Sequence, residues 1–141
     1  METKIYSSAG FSHHYSVEEL YVLTRHWLSD IKFFEQEITF LQSTILKFVA
    51  SDTELSLEEQ LMDLERGFEG LNHRIQLLKA EVLEHQNKLS LLLDKNRAEE
   101  YEFNKIQSTL EGEFFDFIKS YRQVKFELFG LSQPKKRSLI A

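Results

Sequence analysis

The side chains in this chain that could bind a metal or move a proton are five histidines and a surplus of carboxylates. His85 stands in an otherwise apolar series, as Thr24 and Gln107 stand in two others. A histidine at such a position becomes a metal or small-ligand site if other ligands reach it, and His26 and Glu111 are the candidates at similar height. The spacings that mark metal-binding helices are missing. Glu81–His85 and Glu69–His73 are four residues apart, whereas di-iron bundles use Glu-x-x-His, and no His-Glu-x-x-His run occurs. The expected arrangement is a buried polar layer of Thr24, His85 and Gln107, with Asn104 nearby. Such a layer fixes helix register at some cost in stability. No metal and no cofactor is expected. The adjacent His13 and His14 precede the first helix signal and read as incidental.

Covalent catalysis has no visible apparatus. There is no cysteine, which removes thiol nucleophiles, thiolate zinc sites and disulfides together. No Gly-x-Ser-x-Gly elbow is present. The five glycines, Gly10, Gly67, Gly70, Gly112 and Gly130, form no phosphate-binding loop. A slim helical coil offers a poor pocket. The expectation is a protein that is not an enzyme.

The length of 141 residues suits one domain, and 42 % hydrophobic residues is too many for a disordered chain. Seventeen basic and 23 acidic side chains give a net charge of -6. An acidic body argues against nucleic acid, whose binding rests on phosphate contacts. No stretch is apolar enough to span a membrane, and residues 1–15 do not read as a signal peptide. A cytoplasmic protein is therefore expected.

Three elements must position these residues. Ser16 and Glu19 form a capping box. After it, Leu20, Thr24, Trp27, Ile31, Phe34, Ile38, Leu41, Ile45 and Phe48 recur at three- and four-residue steps. Ser51-Asp52-Thr53-Glu54 breaks the series, and Ser56 with Glu59 reads as a second box. Leu57, Leu61, Leu64, Phe68, Leu71, Ile75, Leu78, Val82, His85, Leu89 and Leu92 then alternate steps of four and three without a lapse. Asp94-Lys95-Asn96 punctuates, with Asn96 and Glu99 as a third box. The last series is Phe103, Gln107, Leu110, Phe114, Phe117, Tyr121, Val124, Leu128 and Leu131. Gly130 suits the left-handed position past a helix end. No strand pattern competes.

Short connections make neighbouring helices antiparallel. The predicted fold is all-α: an elongated up-down-up three-helix bundle with coiled-coil-like heptad packing. Helices are expected over about 17–50, 57–94 and 97–129, inside a 16–131 bundle. A flexible arm (1–15) precedes it and a basic tail (132–141) follows, carrying Lys135, Lys136 and Arg137. In this arrangement Thr24 is 7 residues above Val17, His85 is 10 above Lys95, and Gln107 is 10 above Arg97. The three polar exceptions therefore fall near one height. The tail returns to the acidic start of helix 2. The mid-helix pair Gly67 and Gly70, and Gly112, are read as room for neighbouring Phe rings rather than as a break in helix 2.

The chain carries twelve phenylalanines, more than the core series use. Phe33, Phe40, Phe115, Phe126 and Phe129 fall on the outer faces, all in the upper half, with Ile118 at the edge of the stripe. Rings of about 150–250 Å² each make such a patch larger than a soluble monomer usually exposes. The expected cover is a second copy of the chain, giving a homodimer. The N-terminal arm or a different protein are alternatives. The function expected is that of a self-associating adaptor, scaffold or assembly subunit. Alternatives are a metal- or small-ligand-binding bundle built on His85, and peripheral membrane attachment through the outer rings and nearby cations.

Overall fold

The computed structural model describes residues 14–50, 55–93 and 99–131. They form three helices: α1 (Val17–Ala50), α2 (Leu55–Ser90) and α3 (Glu100–Leu131). No strand occurs among the described residues. The arm over residues 1–13 with its His13, the Ser51–Glu54 break, the Asp94–Asn96 punctuation and the 132–141 tail lie outside them.

The partners across each interface fix the topology. Between α1 and α2, Thr24 meets Gln86, Glu35 meets Lys79 and Gln42 meets Glu65. One number rises as the other falls, so the helices are antiparallel. Between α2 and α3, Gly67 lies against Val124, Arg74 over Phe117 and His85 against Gln107, again antiparallel. Between α1 and α3, Trp27 meets Phe114, Phe34 meets Tyr121 and Glu37 meets Lys125, so these two run parallel. This is the up-down-up bundle. At 1.5 Å per residue its helices are about 50 Å long.

The core follows the apolar spacing. In α2 every series position from Leu61 to Leu89 is buried, and in α1 every position from Leu20 to Ile45. Phe48, Leu57, Leu92, Val124 and Leu131 at the periphery are partly buried. Three side chains outside the predicted series join the core: Val17, Glu111 and Ile118. Ile118 is therefore core rather than the edge of an outer stripe. Large rings fill the space between α1 and α3. Phe34 lies 5.3 Å from Phe117 and 5.2 Å from Tyr121, and Trp27 lies 5.9 Å from Phe114. These rings hold the two backbones apart, and α1 and α3 approach closely at few places.

The polar layer divides the core. Above it, nineteen buried apolar residues from Trp27, Val82 and Leu110 upward form one cluster. Below it, Val17, Leu20, Leu89 and Phe103 form another.

The helix ends both follow and correct the sequence reading. Ser16 and Glu19 make the reciprocal capping box, at 2.9 Å and 3.2 Å. Ser56 is not a cap, because α2 already begins at Leu55. The Asn96 end of the third box lies outside the described residues, while Glu99 lies within them. Its own carbonyl accepts the first helical bond, from Phe103 N–H at 3.1 Å, so α3 begins at Glu100 rather than 97. α2 ends at Ser90, not 94. The Ser90 hydroxyl takes the Asn87 carbonyl at 2.7 Å, and the chain tightens to a three-residue bond from Leu92 to Leu89. Gly130 is not a left-handed stop. No described glycine has a positive φ, and α3 runs on to Leu131, whose packing on the core holds the last turn helical.

α2 is unbroken at Gly67 and Gly70. Neither glycine makes room for a ring. A Cβ on Gly67 would meet Val124 at 3.5 Å, while Gly70 and Gly112 face open space.

Candidate interaction groove and polar layer

The five outer phenylalanines are all exposed: Phe33 53 %, Phe40 66 %, Phe115 43 %, Phe126 79 % and Phe129 47 %. Contacts between the helices show where they sit. Lys125 Nζ donates to Glu37 Oε1 at 3.0 Å, bridging α3 to α1. Phe33 and Phe40 are four residues before and three after Glu37, so they share its face. On α3, Phe115, Ile118, Arg122, Lys125 and Phe129 follow at three- and four-residue steps, one stripe bordering α1. Four rings therefore flank the groove between the two parallel helices, two on each side. Phe126, three residues before Phe129, stands one step further round.

Cations lie over the rings. Lys125 is 5.6 Å from the Phe129 and Tyr121 centroids, and Lys119 is 5.8 Å from Phe115. Each alkyl stem covers part of a ring while its charge stays in water. Phe33 packs edge-on against the buried Phe34 at 5.5 Å, which ties the exposed band to the core. The groove is thus an apolar strip with a charged rim, built on rigid helices.

The polar layer lies below it. Thr24, His85 and Gln107 are all buried. His85 Nε2 and Gln107 Oε1 are 2.5 Å apart, and in this amide orientation the ring nitrogen is the donor. Thr24 is not bonded to that pair. Its hydroxyl donates to the Tyr21 carbonyl at 2.6 Å and accepts from Gln86 at 3.2 Å. The layer is therefore two separate bonded groups at one height. His85 Nδ1 and Gln107 Nε2 have no partner. Burial pushes the His85 pKa down, the Gln107 bond opposes this and Lys88 adds to it. His26 is exposed, and no three described side chains of His, Asp or Glu are grouped to hold a metal.

Asn104 is close to the layer in sequence but serves another purpose. Its Oδ1 accepts from Tyr15 N–H at 2.8 Å, and its Nδ2 donates to the Tyr15 and Glu100 carbonyls at 2.9 Å. Glu100 accepts from Val17 N–H at 3.2 Å and contacts His14 Nε2 at 3.2 Å. The chain entering α1 is therefore pinned to the first turns of α3, and His14 takes part in the pinning. Sequence reasoning named Glu111 only as a possible ligand and missed its burial, this clamp and the Glu37–Lys125 bridge. The available signal was the seven-residue recurrence of Asn104, Glu111, Ile118 and Lys125, which marks the α1-facing flank of α3.

No helix among the described residues is long and apolar enough to cross a membrane. The chain matches no protein-family model, no curated protein and no solved structure. The fold and the groove define it as a three-helix bundle with an exposed aromatic band, and its function is read from those residues.

Proposed function

We propose that this chain is a non-enzymatic interaction protein, an adaptor, scaffold or assembly subunit, that pairs with a second copy of itself through the α1/α3 groove. The observation that carries this reading is the concentration of exposed Phe33, Phe40, Phe115 and Phe129 along one groove, with Phe126 beside it. At about 200 Å² per ring, their exposed parts supply more than half of the roughly 800 Å² that each partner buries in a standard interface. The rim suits a self-complementary contact. It holds both signs, with Lys119, Arg122 and Lys125 near Asp116, Glu127 and Glu37. A patch with both charges can face its own image without net repulsion, as a two-fold dimer requires. The rings would be the anchors and the charges the rim.

The test is solution mass by light scattering at two concentrations, for the wild type and for Phe33→Glu/Phe126→Glu. The reading expects a wild-type dimer and a folded monomeric variant, with helicity checked by circular dichroism. A wild type that is monomeric at both concentrations, or a variant that remains dimeric, overturns it.

A further inference from the structure

We infer that the Glu111-Gly112-Glu113 turn is a proton-controlled wedge. When both carboxylates ionise, the lower half of α3 loosens from its two neighbours. The geometry carries this. The two side chains leave one turn of α3 on opposite flanks, on either side of the core residues Leu110 and Phe114. Glu111 enters the α1 side and is only 9 % exposed. Glu113, itself exposed, reaches the α2 side, where it faces the exposed Glu81. That contact lies at a cavity of about 290 Å³ between α2 and α3.

Neither wedge carboxylate has a cationic partner. The titratable group facing Glu111 from the α1 side is Tyr15, which is not a cation. Those facing Glu113 from α2 are Glu81, Glu84, His85 and Lys88. Lys88 is committed to Glu84 at 3.4 Å. Among the side-chain contacts between helices described above, Glu81 and Glu113 are the one pair of like charges. The backbone at this point is weak as well. Gly112 sits between the two carboxylates, where a Cβ would meet nothing within 4 Å, and lowers helix propensity. Just below lies the polar layer with its unpartnered His85 and Gln107 nitrogens, rather than apolar packing. One turn of α3 thus combines two unneutralised carboxylates, a glycine and a poorly satisfied core layer.

The direction of the effect follows from burial. Both carboxyls are pushed up to about 7 from 4.5, Glu111 by desolvation and Glu113 by desolvation together with Glu81. The folded chain holds protons that the unfolded chain has released, so stability falls as pH rises from 4.5 towards 7 and stays low above. His85 acts oppositely. Its lowered pKa makes the folded chain less stable as pH falls below 6.5. A plain melting curve mixes the two, and variants separate them.

The test is amide hydrogen exchange, corrected for intrinsic rates, at about pH 5 and about pH 8. Protection of α3 amides from Phe103 to Ile118 should fall by about tenfold or more at the higher pH. Amides around Ile45 and Leu61 should keep theirs. In Glu111→Gln/Glu113→Gln the loss should vanish, because an amide mimics the protonated group. If that variant does not fold, Glu81→Gln should remove part of the loss by relieving the α2 side. Unchanged protection in the wild type, or an equal loss in the folded Gln variants, overturns the inference. A uniform loss along all three helices also overturns it, since the wedge acts locally.

Discussion

The two ends of the bundle are held by different means. Above the polar layer, nineteen buried apolar residues, many of them aromatic, form one cluster spanning all three helices. Below it, among the described residues, the buried apolar side chains are Val17, Leu20, Leu89 and Phe103, with Tyr15, Tyr21, Leu92 and Leu93 partly buried against them, and polar contacts add the Asn104 clamp on Tyr15, the Glu100 bond to Val17 and the Ser16–Glu19 box. Hydrophobic burial is worth more per residue than a hydrogen bond that replaces one to water. The upper half therefore carries most of the stability and the lower half is where the bundle opens first. The exposed rings belong to the stable half. An aromatic band mounted there keeps its geometry even when the lower end loosens.

Truncating a ring in each half tests that contrast most severely. Phe114 is fully buried and touches Trp27 and Phe34. Phe114→Ala should cost about 3–5 kcal/mol of unfolding free energy by urea titration. Phe103 is 7 % exposed and borders a polar layer that can relax around it. Phe103→Ala should cost less. Equal losses would mean that the small lower cluster is as cooperative as the large one.

The polar layer can also be removed. His85→Leu alone leaves Gln107 unpartnered and should be neutral or destabilising near neutral pH. His85→Leu/Gln107→Leu replaces both members and should be neutral or stabilising, because no buried polar group is then left without its partner. It should also abolish the acid-side loss of stability, because His85 is held neutral by burial and must charge when the acid form unfolds. The cost should appear as lost uniqueness, with broader amide resonances or mixed oligomers. A double variant that melts like the wild type across the acid range would show that His85 does not set the pH response.

Much of this was legible in the sequence, for identifiable reasons. The three apolar series were readable because a buried stripe demands steps of three and four, and each helix here is at least 32 residues long. The common height of Thr24, His85 and Gln107 followed from counting along antiparallel helices. What the count could not supply was bonding. Thr24 turned to Gln86, and His85 to Gln107, because side-chain direction around each helix decides the partner. The flank of α3 that holds Asn104, Glu111, Ile118 and Lys125 shows as a seven-residue recurrence, but its partners were not legible, for the same reason. Its partners are set by which side of α3 meets α1, and apolar spacing does not carry that. Gly130 shows the opposite failure. A local stop signal was read correctly as a propensity and then overridden by the burial of Leu131.

The smallest expected effect concerns the glycines, and it locates the weak point of α3 against the strong run of α2. Gly70 and Gly112 each face open space, so an added methyl group meets nothing and the intrinsic helix gain is undiluted. Gly70→Ala and Gly112→Ala should each stabilise by about 1 kcal/mol. Gly67→Ala should gain less, since its Cβ touches Val124 at 3.5 Å. The two favourable changes should differ in where the gain is felt. Gly70 lies in the upper half, whose opening already requires global unfolding, so its alanine should raise all the slow amides together. Gly112 lies in the turn between Glu111 and Glu113, so its alanine should raise protection mainly in the lower half of α3. If both alanines slow exchange uniformly, the two halves open as one unit and the division at the polar layer is structural only.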